Sequence, residues 1–177
     1  GKVCVWRKPN TELQTKNLRG TVKHGGGHVM VWGCMSASGV GSLHFIEGNL
    51  EKIQYLNILK ANILQSAEKL GIRENFSFYQ DNDPKHKSGI VQTWLIWNCP
   101  HVLQAPPQSP DINVIENLWH LLETKIRLYN ISNIKDLKDA LKSEWYKISP
   151  DYTKKLVSSM NSRLRSVIKQ KGYPTKY

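Results

Sequence analysis

The sequence predicts an α/β fold, a mixed sheet flanked by helices with a helical C-terminal extension, and three observations carry that prediction. Val29 to Met35 is a nearly unbroken apolar run, as expected of a strand covered on both faces, and Ser42 to Ile46 offers it a partner. A long amphipathic segment, Glu51 to Leu70, lies between strand-like runs, which implies a crossover and at least partly parallel pairing. From Val114 onward helical periodicity is almost continuous.

The elements follow in order. Val3 to Arg7 reads as a short strand ended by Lys8-Pro9-Asn10, and Lys23-His24-Gly25-Gly26-Gly27-His28 is too glycine-rich for the interior of a helix or sheet. Gly39-Val40-Gly41 is expected to turn the chain between the two apolar strands. In Glu51 to Leu70 the apolar positions Ile53, Leu56, Leu59, Ile63, Leu64, Ala67 and Leu70 recur at three and four, and Gly71 supplies the stop.

Phe76 to Gln80 is then a strand that runs into Asp81, Ser88 to Trp97 a second helix, and Val102-Leu103 a short strand. The prolines of Ala105-Pro106-Pro107-Gln108-Ser109-Pro110-Asp111 forbid helix and central strand alike. Val114 to Arg127, Ile134 to Tyr146 and Pro150 to Lys169 are the predicted C-terminal helices. Trp94, Trp97, Trp119 and Trp145 fall at core-facing helical positions and are expected to pack rather than stack on bases.

With 177 residues the chain suits one domain spanning 1–177. Its formal charge of +11 and pI near 9.6 favour polyanionic partners, nucleic acid foremost, through salt-dependent neutralisation of phosphates. Basic residues concentrate in the last third. Cys4, Cys34 and Cys99 form no C-x-x-C pair, which argues against a disulfide framework or thiolate zinc site and fits a reducing compartment. The six histidines lack zinc-binding spacing. No apolar run approaches the roughly 18 residues of a membrane span, so no membrane partner is expected.

The chemistry concentrates in two motifs, Asp81-Asn82-Asp83-Pro84-Lys85-His86 and Ser109-Pro110-Asp111-Ile112-Asn113-Val114-Ile115-Glu116-Asn117-Leu118-Trp119, with 34 residues between Asp81 and Glu116. A carboxylate at a strand end and another on a later helix suit Mg²⁺ beside a phosphodiester, because hard cations take oxygen ligands. Each has a competing use. Asp81-Asn82-Asp83 also makes an Asx turn before Pro84, and Asn113 with Glu116 is a capping-box pattern that would fold the glutamate back onto the backbone. Lys85, His86 and Lys87 are candidates for phosphate contact, or else a solvated helix start.

These two motifs, their spacing, and the upstream Val22-Lys23-His24-Gly25-Gly26-Gly27 and Val29-Met30-Val31-Trp32-Gly33-Cys34 resemble the catalytic DDE domain of Tc-type transposases of the Tc/mariner superfamily. The resemblance implies an RNase H-like fold, a DDE triad binding two Mg²⁺ (or Mn²⁺) ions, and cut-and-paste transposition in the nucleus. Water would hydrolyse the phosphodiester at the transposon end, and the freed 3′-hydroxyl would attack target DNA at TA dinucleotides. Double-stranded DNA is the implied partner, with a homo-oligomer assembled on it. Asp81 matches the second acid and Glu116 the third; Lys23 and His24 lie in the segment that in relatives helps to clamp the partner subunit or DNA.

Two departures stand out. Val114 replaces the family's usual proline after the asparagine, a mild change because proline at a helix start helps without being required. The first acid belongs on a strand expected before Val3, and Glu12, the first carboxylate, lies in a loop and is not promoted to its place. The sequence therefore reads as a catalytic domain truncated before its first acid, or alternatively as a noncatalytic DNA-binding or oligomerisation module derived from one. The absent strand is expected at the sheet centre, its neighbours left with open edges. On that expectation the 177-residue chain alone shows no Mg²⁺-dependent nicking of transposon-end DNA in a plasmid assay; nicking would overturn it.

Overall fold

The computed structural model describes residues 28–106 and 109–170. The predicted strand at Val3 to Arg7, together with Lys23 and His24, lies outside them. The described residues open with an antiparallel hairpin, β1 (Met30–Ser36) and β2 (Gly39–Ile46), followed by helix α1 (Lys52–Lys69) and strand β3 (Ser77–Tyr79). Helix α2 (Gly89–Asn98) leads to strand β4 (His101–Leu103), and then come α3 (Ile115–Ile126), α4 (Ile134–Tyr146), α5 (Pro150–Ser158) and α6 (Met160–Gln170). β4 lies parallel to β3, with α2 as the crossover.

The hairpin turns at Ala37-Ser38, two residues earlier than Gly39-Val40-Gly41 suggested. Gly39 does adopt a φ of 138°, which favours glycine. Gly41 serves another purpose within β2: a Cβ there would lie 2.5 Å from the Cys34 sulfur and 2.8 Å from Ser66 of α1. Glycine at that position lets the helix settle directly onto the strand.

Two apolar clusters flank the hairpin. Tyr55, Leu59, Ile63 and Ala67 of α1 meet Phe76, Val91, Leu95 and Cys99, and Trp32 of β1 packs against them. On the other side Val40 joins Leu118, Leu122, Trp145 and Ile148, with Met35 and Leu43 beside them. At the centre of this second cluster Trp145, fully buried, stacks on Trp119 with ring centroids 5.2 Å apart. Its indole nitrogen donates to the Gly41 carbonyl at 2.9 Å, so a bulky ring is buried without stranding its N–H. Gly33 makes room for the pair, because a Cβ there would lie 2.9 Å from each ring.

Three expectations need correction. Ile53 was placed on the buried stripe of α1 but is 58% exposed; the stripe runs through Tyr55, Ile58, Leu59, Ile63, Ser66 and Ala67. Trp97 is 82% exposed, because α2 buries the face of Val91 and Leu95 and Trp97 projects from the other side. The helix predicted over Pro150 to Lys169 breaks at Ser159, whose hydroxyl donates to the Leu156 carbonyl at 2.6 Å and competes for the helical ladder.

Among the described residues the strands form two separate pairs, and no strand joins β1 or β2 to β3 or β4. Both pairs rest on the cluster built around α1, which contains Trp32 of β1 and Phe78 of β3.

The Trp145 contacts set the stability of this arrangement. Trp145→Ala is expected to cost about 3–5 kcal/mol, as large aromatic truncations in cores do. Gly33→Ala is also expected to destabilise, by pressing a methyl against two buried rings. Urea unfolding measures both, and an unchanged midpoint in either variant contradicts the packing described.

Candidate active site

β3 and β4 end side by side, paired Ser77 with His101 and Tyr79 with Leu103, so the chain leaves both strands at the same carboxyl edge. That edge is where open α/β sheets place their ligands. Asp81 stands just past β3, and the Asn82 amide straps the two exits together by donating to the carbonyls of Ala105 and Pro106, each at 2.8 Å.

Asp81 is fixed from two directions. Its Oδ1 accepts the Asp83 backbone N–H at 3.2 Å and meets Nδ1 of His86 at 2.5 Å. With a carboxylate as acceptor, Nδ1 carries the proton. The His86 ring is stacked on Tyr55 of α1 at 4.0 Å between centroids, inclined by 27°. The Tyr55 hydroxyl donates to Gln80 at 2.6 Å, and the amides of Gln80 and Gln92 both donate to the His86 carbonyl. The Asx-turn reading of this motif is therefore correct, since Asp83 likewise accepts the Lys85 N–H at 2.8 Å, yet it leaves the Asp81 side chain 55% exposed to the space beyond. The two uses do not exclude each other.

His86 departs from its expected place. Its side chain is 17% exposed and its Nδ1 is engaged with Asp81, so the ring supports the carboxylate, whereas Lys85 and Lys87 are exposed.

Glu116 comes from the other direction. A 3-10 turn at Pro110–Ile112 leads to α3, where Glu116 occupies the first turn. The capping box does not form: Val114 takes the N-cap position without a side-chain cap, and Oε1 of Glu116 accepts from the Asn113 side-chain amide at 3.1 Å. Glu116, Asp81, Asn82, Asp83 and Asn113 all line one open cavity of about 320 Å³, bordered elsewhere by Pro106, Ser109 and Pro110.

The electrostatics of this cavity are unfavourable as it stands. Partial burial, and then the negative charge of Asp81, push the Glu116 carboxyl above its ordinary value. The amino end of a helix favours a negative charge, but here desolvation and repulsion win. Tyr79, at the end of β3, is raised by the same two causes in the same order.

Sequence reasoning placed Asp81 and Glu116 correctly at strand end and helix start but missed what holds them. Asn82 and Asn113 were visible within the motifs, though without a sign of their partners. Tyr55 had no local signal, because its stack on His86 spans 31 residues of chain.

Structures of known proteins share this fold. The Mos1 transposase catalytic domain solved with Raltegravir and Mg superposes with a TM-score of 0.75 at 15% identity, over 84% of this chain and 77% of that one. The Mos1 mariner paired-end complex with Mn gives 0.78 at 14%, over 99% and 52%. The fold is thus the RNase H-like fold of DDE catalytic domains. The family model described as DDE superfamily endonuclease matches residues 5–138, and the chain belongs to that family, in its Tc/mariner transposase branch.

Among its relatives, the Tc1 transposase of Caenorhabditis elegans is 41% identical over 177 residues, all of this chain and 64% of that protein. The Tcb1 transposase of Caenorhabditis briggsae is 41% identical over 157 residues, 89% of this chain and 57% of that protein. The chain spans roughly three fifths of the length of these relatives.

The raised Glu116 value makes a pH prediction. Because the folded value lies above the unfolded one, folding suffers nothing from this group at low pH and is increasingly penalised as pH rises through the raised value. In metal-free buffer Glu116→Gln is therefore expected to raise the thermal midpoint at neutral pH, with the gain vanishing on acidification. A gain independent of pH would count against the repulsion.

Proposed function

We propose that this chain is the catalytic-domain portion of a cut-and-paste DNA transposase, in which Asp81 and Glu116 hold a divalent metal ion beside a DNA phosphodiester. One observation carries the reading. Two carboxylates from separate elements share a cavity whose lining residues include no lysine or arginine, and one of them has its charge disfavoured there. A cation is the missing complement.

The donors suit a hard ion, Mg²⁺ or Mn²⁺, since the acidic ligands are oxygens with amide groups around them. Among the described residues no group of three or more His, Cys, Asp or Glu side chains gathers to hold a metal, and on this reading the third carboxylate of the triad comes from outside them. When bound, the ion would polarise the phosphodiester and favour ionisation of the attacking water. The chain's own residues prepare for this: His86 and the Asp83 N–H hold Asp81 in one orientation, Asn113 holds Glu116, and Asn82 keeps the two strand exits together.

On this reading the exposed Lys85 and Lys87, next to the cavity in sequence, would neutralise DNA phosphates. The same reading extends to a second ion, to hydrolysis at transposon ends with transfer into TA sites of double-stranded DNA, to a homo-oligomer on that DNA, and to action in the nucleus. The likeness of the whole chain to Tc1-type transposases supports the transposition steps among these. No helix among the described residues is long and apolar enough to cross a membrane.

Thermal unfolding with Mn²⁺ tests the metal site: the wild-type midpoint is expected to rise with added ion, and the rise to be lost in Asp81→Asn. An equal rise in that variant would sink the site. For DNA, fluorescence anisotropy with a duplex should show binding that weakens steeply with salt, the slope falling by about one for each of Lys85 and Lys87 changed to alanine if each contacts a phosphate. Binding to DNA with no response to metal would leave the noncatalytic module as the better description.

A further inference from the structure

The start of α3 lacks a side-chain cap, and its position relative to the preceding 3-10 turn decides where Glu116 enters the cavity. Arg163 of α6 spans this junction. One guanidinium nitrogen, Nη1, donates to the Asp111 carbonyl in the 3-10 turn at 2.8 Å, and Nη2 donates to Oδ1 of Asn117 in α3 at 2.9 Å. The first acceptor lies five residues before Glu116 and the second is its immediate neighbour. Nε donates to the Ser159 hydroxyl at 2.9 Å, so the break between α5 and α6 aims the fork.

Arg163 is 5% exposed, a rare burial for an arginine and one that demands well-made hydrogen bonds. A planar guanidinium fixes two acceptors at a set separation and angle; an ammonium on a flexible stem cannot.

We propose that Arg163 is a positioning residue for Glu116: from the C-terminal helix it clamps the 3-10 turn to the first turn of α3 and so sets the direction of the acidic side chain. This rests on the metal-site reading for its functional meaning. The clamp itself is a matter of geometry, and the two can be tested apart.

The experiment uses the 177-residue chain with Arg163→Lys, Arg163→Met and Asn117→Ala. Residue-resolved hydrogen exchange reads the clamp, Mn²⁺ binding followed by electron paramagnetic resonance reads its consequence, and urea unfolding reads global stability. In Arg163→Lys, amides of α3's first turn are expected to exchange faster while those of α1 stay protected, and Mn²⁺ affinity to fall by about tenfold, as for other residues that orient a metal ligand. Unchanged exchange in Arg163→Lys overturns the proposal, and so does an equal acceleration in α1, which would make Arg163 merely structural. If neither Arg163 variant folds, Asn117→Ala, which removes one acceptor, has to show the same local opening, and its absence is equally decisive. If wild-type protein binds no Mn²⁺, the metal-site reading fails, while the exchange data still decide the clamp.

Discussion

The hydrogen bond from the Trp145 indole to the Gly41 carbonyl is the contact on which the layered structure depends. It brings helix α4 against the β1–β2 hairpin, far from it in sequence. Gly41 admits α1 on one side, and Gly33 admits the stacked Trp119 and Trp145 on the other. A hairpin thinned by glycines at both faces can be covered closely by two helical layers. Dispersion and burial then act over short distances, which is how dense cores gain their stability.

The acidic cavity is built on the opposite principle. Its two carboxylates are brought together against their mutual repulsion, and the arrangement persists because neighbouring groups hold each one separately: the stacked His86 for Asp81, Asn113 for Glu116, and the Asn82 strap between the strand exits. Preorganisation of this kind means that little rearrangement would be needed for the proposed cation to bind. It also means that the supporting residues share responsibility for the site with the two acids.

Much of this was legible in the sequence, for reasons that differ by element. Helices α1 to α4 announced themselves because their buried faces repeat every three or four residues, and the stop at Gly71 (φ 68°) was readable because a left-handed cap favours glycine. Asp81 and Glu116 could be singled out because each lies in a dense local motif. What escaped depends on distant partners. Gly41 looked like a turn residue because strand glycines at close approaches carry no local mark, and Trp97 looked buried because helical position alone does not say which face meets the core. His86 was assigned to phosphate because nothing near it in the chain foretold the Tyr55 ring. Arg163 sat in a basic helix like any exposed cation, and its burial and its acceptors on Asp111, Asn117 and Ser159 distinguish it.

The bond between Trp145 and Gly41 joins residues 104 apart in sequence. Closing so long a loop carries an entropic cost of roughly 4 kcal/mol before any contact is gained. During synthesis the hairpin leaves the ribosome well before α4 and must wait with one apolar face open until α4 has been made. A nascent chain halted before Trp145 would present Val40, Met35 and Leu43 to water, which places the window of greatest vulnerability to misassociation between the emergence of the hairpin and that of α4.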